Sequence, residues 1–136
     1  MFTLLLIEDD LKTARLIEKI LTPHGFNIHH APNGLKGLQL AREVHPHIIL
    51  VDLNLPDLDG KVVANNLRGS IQKGTIPIVA CTAETGVRAK TLALAMGCDS
   101  FISKPIDTRA FPGQILQLLK VDQGIQVDQG LNETCP

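Results

Sequence analysis

Five short apolar runs punctuate the chain, separated by longer segments in which apolar residues recur at helical spacing. The runs are Thr3 to Ile7, Asn27 to Ala31, Ile48 to Asp52, Ile76 to Thr82 and Ser100 to Ile102. Two of them, "HIILVD" and "IPIVACT", are apolar on both sides, as strands covered on both faces of a sheet must be. Between the first two runs, Leu11, Ala14, Ile17, Ile20 and Leu21 trace a helix that Pro23 and Gly25 close. Leu35, Leu38 and Ala41 mark a second helix. A third follows Gly60, with Val62, Val63 and Leu67 on its apolar side and Gly69 and Gly74 helping to end it. Ala89, Leu92, Ala93 and Met96 form a fourth before Gly97, and Phe111, Ile115, Leu118 and Leu119 a fifth. Strands alternating with helices predict an α/β fold with right-handed crossovers and a parallel sheet covered on both sides.

After Lys120 the pattern dissolves into "VDQGIQVDQGLNETCP", in which VDQG occurs twice; two copies are too few to stack into a solenoid. The expected organisation is one domain over residues 1–120 and a flexible tail or linker over 121–136.

A length of 136 residues suits a single domain, and 44% hydrophobic content with a net charge of -1 points to neither a nucleic acid nor a membrane surface as partner. The run Phe2 to Ile7 is far shorter than the ~20 residues of a membrane-spanning helix and ends in acids, so a cytoplasmic protein is expected. Cys81, Cys98 and Cys135 are odd in number and lack metal-ligand spacing, which favours buried or incidental thiols. The pairs His29/His30 and His45/His47 have no accompanying ligands and read as surface or strand-end histidines.

Ligands of open parallel sheets bind beyond the carboxyl ends of the strands. The first strand leads to Glu8 and Asp9, the third ends at Asp52, the fourth at Thr82, and the fifth leads into Lys104. The second ends in "HHAPNG" and offers nothing comparable, as an edge strand would. Each residue also has an ordinary reading. Asp9 or Asp10 can cap a helix, and this is the favoured role for Asp10. Asp52 before "LNLPDLDG" can be turn chemistry, Thr82 a strand residue, and Lys104 a solvated charge. Their convergence on one sheet edge argues for a site. Three carboxylates would repel one another unless a hard cation such as Mg²⁺ joined them, and a lysine and a hydroxyl suit an attached anion. The combination reads as metal-assisted phosphoryl transfer to a carboxylate.

In "LLLIEDD", "IILVDLNLPDLDG", "IVACTA" and "GCDSFISKP", in this order and spacing, the chain resembles a receiver domain of two-component response regulators, of the chemotaxis-regulator type. The resemblance implies a flavodoxin-like, doubly wound (βα)5 fold with strand order 2-1-3-4-5. It implies that Asp52 is a phosphoacceptor forming an aspartyl phosphate, with a phosphohistidine of a sensor kinase or phosphotransfer protein as donor in a phosphorelay. Asp9, Asp52 and the Asn54 backbone carbonyl would bind Mg²⁺, or Mn²⁺ in its place, and Glu8 would act through water. Thr82 would contact a phosphoryl oxygen, and Lys104, before a cis Pro105, would pair with the carboxylate or phosphoryl group. Thr82 and Phe101 would form the switch; Phe101 keeps the ring of the family's usual tyrosine without its hydroxyl, and it also reads as a plain core residue. Asn54 and Glu84 would tune phosphate lifetime toward rapid self-dephosphorylation. The expected role is a signalling switch, not a turnover enzyme, with a downstream protein or output domain as target and a phosphorylation-linked homodimer among its partners. The competing readings are a degenerate receiver used for docking and an aspartate-nucleophile phosphatase, for which the Asp-x-Asp pattern is missing.

Overall fold

A computed structural model describes residues 2–53, 55–58, 60–70, 76–83 and 86–122. The five strands are β1 (Phe2–Ile7), β2 (Phe26–Ala31), β3 (Ile48–Asp52), β4 (Ile78–Thr82) and β5 (Ser100–Ser103). The helices between and after them are α1 (Leu11–Leu21), α2 (Gly34–Val44), α3 (Gly60–Ser70), α4 (Gly86–Ala95) and α5 (Phe111–Asp122). All neighbouring strands are parallel, in the order β2-β1-β3-β4-β5, which is the flavodoxin-like order. β2 therefore lies at an edge, and β1 and β3 meet where the strand order reverses.

Alternation along β1 assigns its residues to two cores. Leu4 and Leu6 pack with Ala14, Ile17 and Leu21 of α1 and with Phe111, Ile115 and Leu119 of α5. Leu5 and Ile7 pack on the opposite face with Val63, Ala64 and Leu67 of α3 and with Ala93 and Met96. β3 and β4 are buried at every position, as the continuous apolar runs predict. A fully buried side chain of this size contributes about 1.5–3 kcal/mol, so the two faces supply most of the cohesion.

The helices start and stop where local chemistry dictates. Asp10 caps α1, accepting from the Lys12 amide at 3.2 Å and the Thr13 hydroxyl at 2.7 Å. α1 tightens into a 3-10 turn at Thr22–His24 and ends at Gly25, whose φ of 87° is left-handed and suits glycine. Asn33 caps α2 through the Lys36 amide at 2.9 Å.

Three expected apolar-face residues are instead turned outward: Leu11, Leu35 and Val62 are 55%, 64% and 44% exposed. In α2 the buried positions are Gly34 and Gly37, because this helix sits too close to the sheet for larger side chains. A Cβ on Gly37 would lie 2.5 Å from Ile7 Cδ1. Gly69 lies inside α3 instead of ending it, and Gly74 lies outside the described residues. On the α3 side, the Arg68 guanidinium reaches the Gly97 carbonyl at 3.1 Å and the Asp99 carboxylate at 2.5 Å. Asp99 also accepts from the Ile78 amide at 2.8 Å, so one carboxylate joins α3, the start of β4 and the turn before β5.

Candidate functional site

The parallel sheet brings the carboxyl ends of β1, β3, β4 and β5 to one edge. Glu8 and Asp9 follow β1, Asp52 is the last residue of β3, Thr82 the last of β4, and Lys104 follows β5. The Lys104 amide donates to the Thr82 carbonyl at 2.7 Å, extending the β4–β5 ladder by one step, and the Lys104–Pro105 peptide is cis.

The side chains converge. Carboxylate oxygens of Glu8, Asp9 and Asp52 all lie within 4.8 Å of one another. Glu8 and Asp52 are 1% and 5% exposed, whereas Asp9 faces solvent. Lys104 Nζ stands 3.0 Å from Glu8 Oε1 and 3.3 Å from Asp52 Oδ2. The sequence had paired Lys104 with Asp52; its closer contact with Glu8 was not foreseen. Glu8 is further held by the Asp10 amide, which donates to Oε2 at 3.2 Å. Behind it, His30 Nε2 lies 2.6 Å from the Glu8 carbonyl oxygen, an acceptor, so this ring nitrogen carries the proton.

Charge explains the electrostatics. Burial, and then the adjacent Asp52 carboxyl, push Glu8 up to about 7, with Lys104 opposing. Lys104 is itself raised: burial pulls its ammonium down, but Glu8 and Asp52 together outweigh that pull. One lysine thus faces three acids. Two like charges 4 Å apart repel by about 4 kcal/mol at a partly screened protein site, so a second cation is the natural complement. The donor set fits a hard one: oxygens bound to Mg²⁺ at about 2.1 Å stand at most about 4.2 Å apart, close to the span of these three carboxylates.

A cleft of about 370 Å³ opens beside Lys104, lined also by Thr13, Leu16, Ala83, Pro105 and Ile106. Thr82 is buried and Phe101 half-buried on β5. Asn54 and Glu84 lie outside the described residues, as do Cys135 and residues 123–136. Cys81 and Cys98 are buried free thiols, pushed by that burial up to about 12 and about 11. His47 accepts the Thr3 amide at 2.9 Å through Nδ1, and His45 closes α2, matching their reading as strand-end and surface residues.

The sequence gave no hint of a second acid nearby. Asp57, after β3, accepts the Gly34 amide at 2.8 Å and the Leu35 amide at 3.0 Å across 23 and 22 residues. These amides hold Asp57 below the usual carboxylate range, Gly34 contributing most. Among the described residues no helix is long and apolar enough to cross a membrane.

Comparison with known proteins bears on this arrangement. A family profile described as "Response regulator receiver domain" matches residues 4–116. The chain is 33% identical over 117 residues to the probable transcriptional regulatory protein SilR of Salmonella typhimurium, covering 86% of this chain and 50% of that protein. It is 33% identical over 120 residues to the cell cycle response regulator CtrA of Brucella ovis, covering 88% and 51%. The chain thus spans about half the length of these curated relatives. Among solved structures, a CheY-like receiver domain from Methanospirillum hungatei superposes with a TM-score of 0.82 at 21% identity, covering 93% of this chain and 99% of the other. The BeF3-activated receiver domain of Klebsiella pneumoniae RstA gives 0.78 at 26% identity, covering 87% and 98%.

Proposed function

The chain belongs to the response regulator receiver domain family, and on that premise we propose that it is a phosphorylation-dependent switch whose phosphoacceptor is Asp52. An Asp52 carboxylate oxygen attacks the phosphorus of a phosphohistidine on a sensor kinase or phosphotransfer protein. The O–P bond forms as the P–N bond breaks, and the imidazole leaves with the electron pair and takes up a proton. The observation that carries this reading is the buried Asp52 held 3.3 Å from Lys104 within a trio of carboxylates spanning 4.8 Å.

Glu8, through water, with Asp9, Asp52 and the Asn54 carbonyl, would hold Mg²⁺, or Mn²⁺ in its place. When bound, the cation neutralises the acidic pocket so that a phosphoryl anion can enter it. Lys104 orients the attacking carboxylate and afterwards pairs with the phosphoryl group, giving up part of its hold on Glu8. Thr82, at the end of the neighbouring strand, moves toward a phosphoryl oxygen, and Phe101 turns into the space released. Asn54 and Glu84 set how fast water removes the group. The cleft beside Lys104 supports approach of the donor from the α1 side.

The domain occupies residues 1–120, with residues 121–136 as a tail or linker, and it acts in the cytoplasm as a switch, not as an enzyme turning over a separate substrate. Its output passes to a downstream protein or output domain, and phosphorylation favours a homodimer. Incubation with acetyl phosphate and Mg²⁺, followed by intact-mass measurement, tests the central claim. One added phosphoryl group is expected on the wild type and none on Asp52→Asn or in the presence of a chelator. Phosphorylation of Asp52→Asn at the wild-type level overturns the assignment, and failure of the wild type to bind Mg²⁺ or fluoroberyllate favours a docking module.

A further inference from the structure

The loop after Asp52 is fixed at both ends. At its start, the Leu53 amide donates to the Cys81 carbonyl at 3.3 Å, continuing the ladder to β4. At its far end, Asp57 spends both carboxylate oxygens on the first two amides of α2, at 2.8 Å and 3.0 Å. A helix start leaves four amides without intrahelical partners. Here Asn33 satisfies the third and fourth, through its side chain to Lys36 and its carbonyl to Gly37. The first two depend on Asp57. The contact is also shaped sterically. A Cβ on Gly34 would lie 3.1 Å from Leu58 Cβ and 2.9 Å from Val63 Cγ2, so only glycine lets α2 approach both the loop and α3.

Asp57 is exposed and its shift is downward, so it carries neither the burial nor the charge crowding of the site acids. Resting on the proposed function, we infer that Asp57 is a positioning residue: by gripping the start of α2 it holds the Asp52 loop in the geometry that the cation and phosphoryl group require. The residues between Leu53 and Asp57 are suspended between two tethers, and Asn54, which offers its carbonyl in the proposed site, is one of them. Cutting the distal tether lets that segment drift, and small displacements at a reacting centre are costly in rate. Coupling of this kind is reciprocal, so ligands that occupy the site must tighten the grip of Asp57 on α2.

The test uses the full chain with acetyl phosphate, Mg²⁺ and fluoroberyllate. Asp57→Ala is expected to need roughly fivefold more Mg²⁺ for half-maximal phosphorylation, at the low end of usual coupling strengths because the tether is exposed. Asp57→Asn keeps one acceptor oxygen, and asparagine caps helices well, so it should recover most of the loss. A merely stabilising cap would lower the melting temperature and leave the Mg²⁺ dependence of the folded protein unchanged. In the wild type, hydrogen exchange at the Gly34 and Leu35 amides should slow severalfold when Mg²⁺ and fluoroberyllate are added. This measurement carries the test even if Asp57→Ala fails to fold. An unshifted Mg²⁺ requirement in a folded Asp57→Ala, or unchanged exchange at both amides, overturns the inference while leaving the site intact. Wild-type phosphorylation of Asp52→Asn, by contrast, overturns the site and the inference with it.

Discussion

Two sets of carboxylates share the carboxyl end of the sheet and have opposite characters. Glu8 and Asp52 are buried, lie beside the exposed Asp9 and share a single lysine, and Glu8 is pushed up to about 7 by burial and by Asp52. Asp10 and Asp57 are exposed and accept hydrogen bonds at helix starts. Both are shifted downward, Asp10 mainly by the Thr13 hydroxyl and Asp57 by the Gly34 and Leu35 amides. Asp9 and Asp10 are adjacent in the chain, yet only Asp9 joins the crowded trio. What separates a site acid from a structural one is the local supply of donors. Backbone amides satisfy Asp10 and Asp57 within the fold, whereas the trio has one ammonium for three charges and awaits a ligand.

The sharpest way to break this contrast is to remove the shared cation. Lys104→Ala leaves Glu8 and Asp52 buried without their partner and is expected to cost about 3 kcal/mol in urea unfolding without metal, with much of the loss restored by Mg²⁺. An unchanged midpoint would mean that the trio is not under electrostatic strain. Mg²⁺ itself should stabilise the wild type by about 2.7 kcal/mol at a hundredfold excess over its dissociation constant. Asp9→Ala should abolish that gain in thermal melts, and Asp10→Ala should retain it; equal responses would erase the distinction between the two neighbours.

The pH dependence should differ in sign between the two sets. Glu8 has a folded value of about 7 against an ordinary 4.5, so the folded state binds more protons between them. Its contribution to metal-free stability is complete below about 4.5 and is lost as pH rises through 7. Asp10 is displaced downward from 3.8, so its contribution is present above that value and disappears as pH falls through its folded value. Chelator-treated melts from acid to neutral pH should therefore lose the falling limb in Glu8→Gln. They should lose part of the acid limb in Asp10→Ala, with a melting temperature only a few degrees lower near neutrality. A Glu8→Gln profile that superposes on the wild type would remove the electrostatic basis of the comparison.

Much of this was readable from the chain. The strand runs were located to within two residues at each end, because continuous burial of β3 and β4 leaves an unmistakable apolar signature. The convergence of Glu8, Asp9, Asp52, Thr82 and Lys104 follows from strand ends in a parallel sheet, which sequence order alone supplies. The helix faces were harder. Leu35 and Val62 looked like core residues by their hydropathy, while Gly34 and Gly37, which actually face inward on α2, carry no hydropathic signal. Side-chain ties over long separations were invisible too: Asp57 to Gly34 spans 23 residues and Arg68 to Asp99 spans 31. Their residue types are common in turns and on helix surfaces, so nothing local marks them as partners.

The near-contact of Gly37 with Ile7 reaches beyond packing. Ile7 is the last residue of β1, and Glu8 and Asp9 come next in the chain. The thickness of one helix backbone therefore gauges how far the strand can rise toward α2, and with it the depth at which the acids emerge. A methyl group at position 37 would have to displace Ile7 by several tenths of an ångström, and the nearest features to inherit that shift are the carboxylates themselves. The blank side chain on α2 acts as a spacer gauge for a pocket to which it contributes no atom.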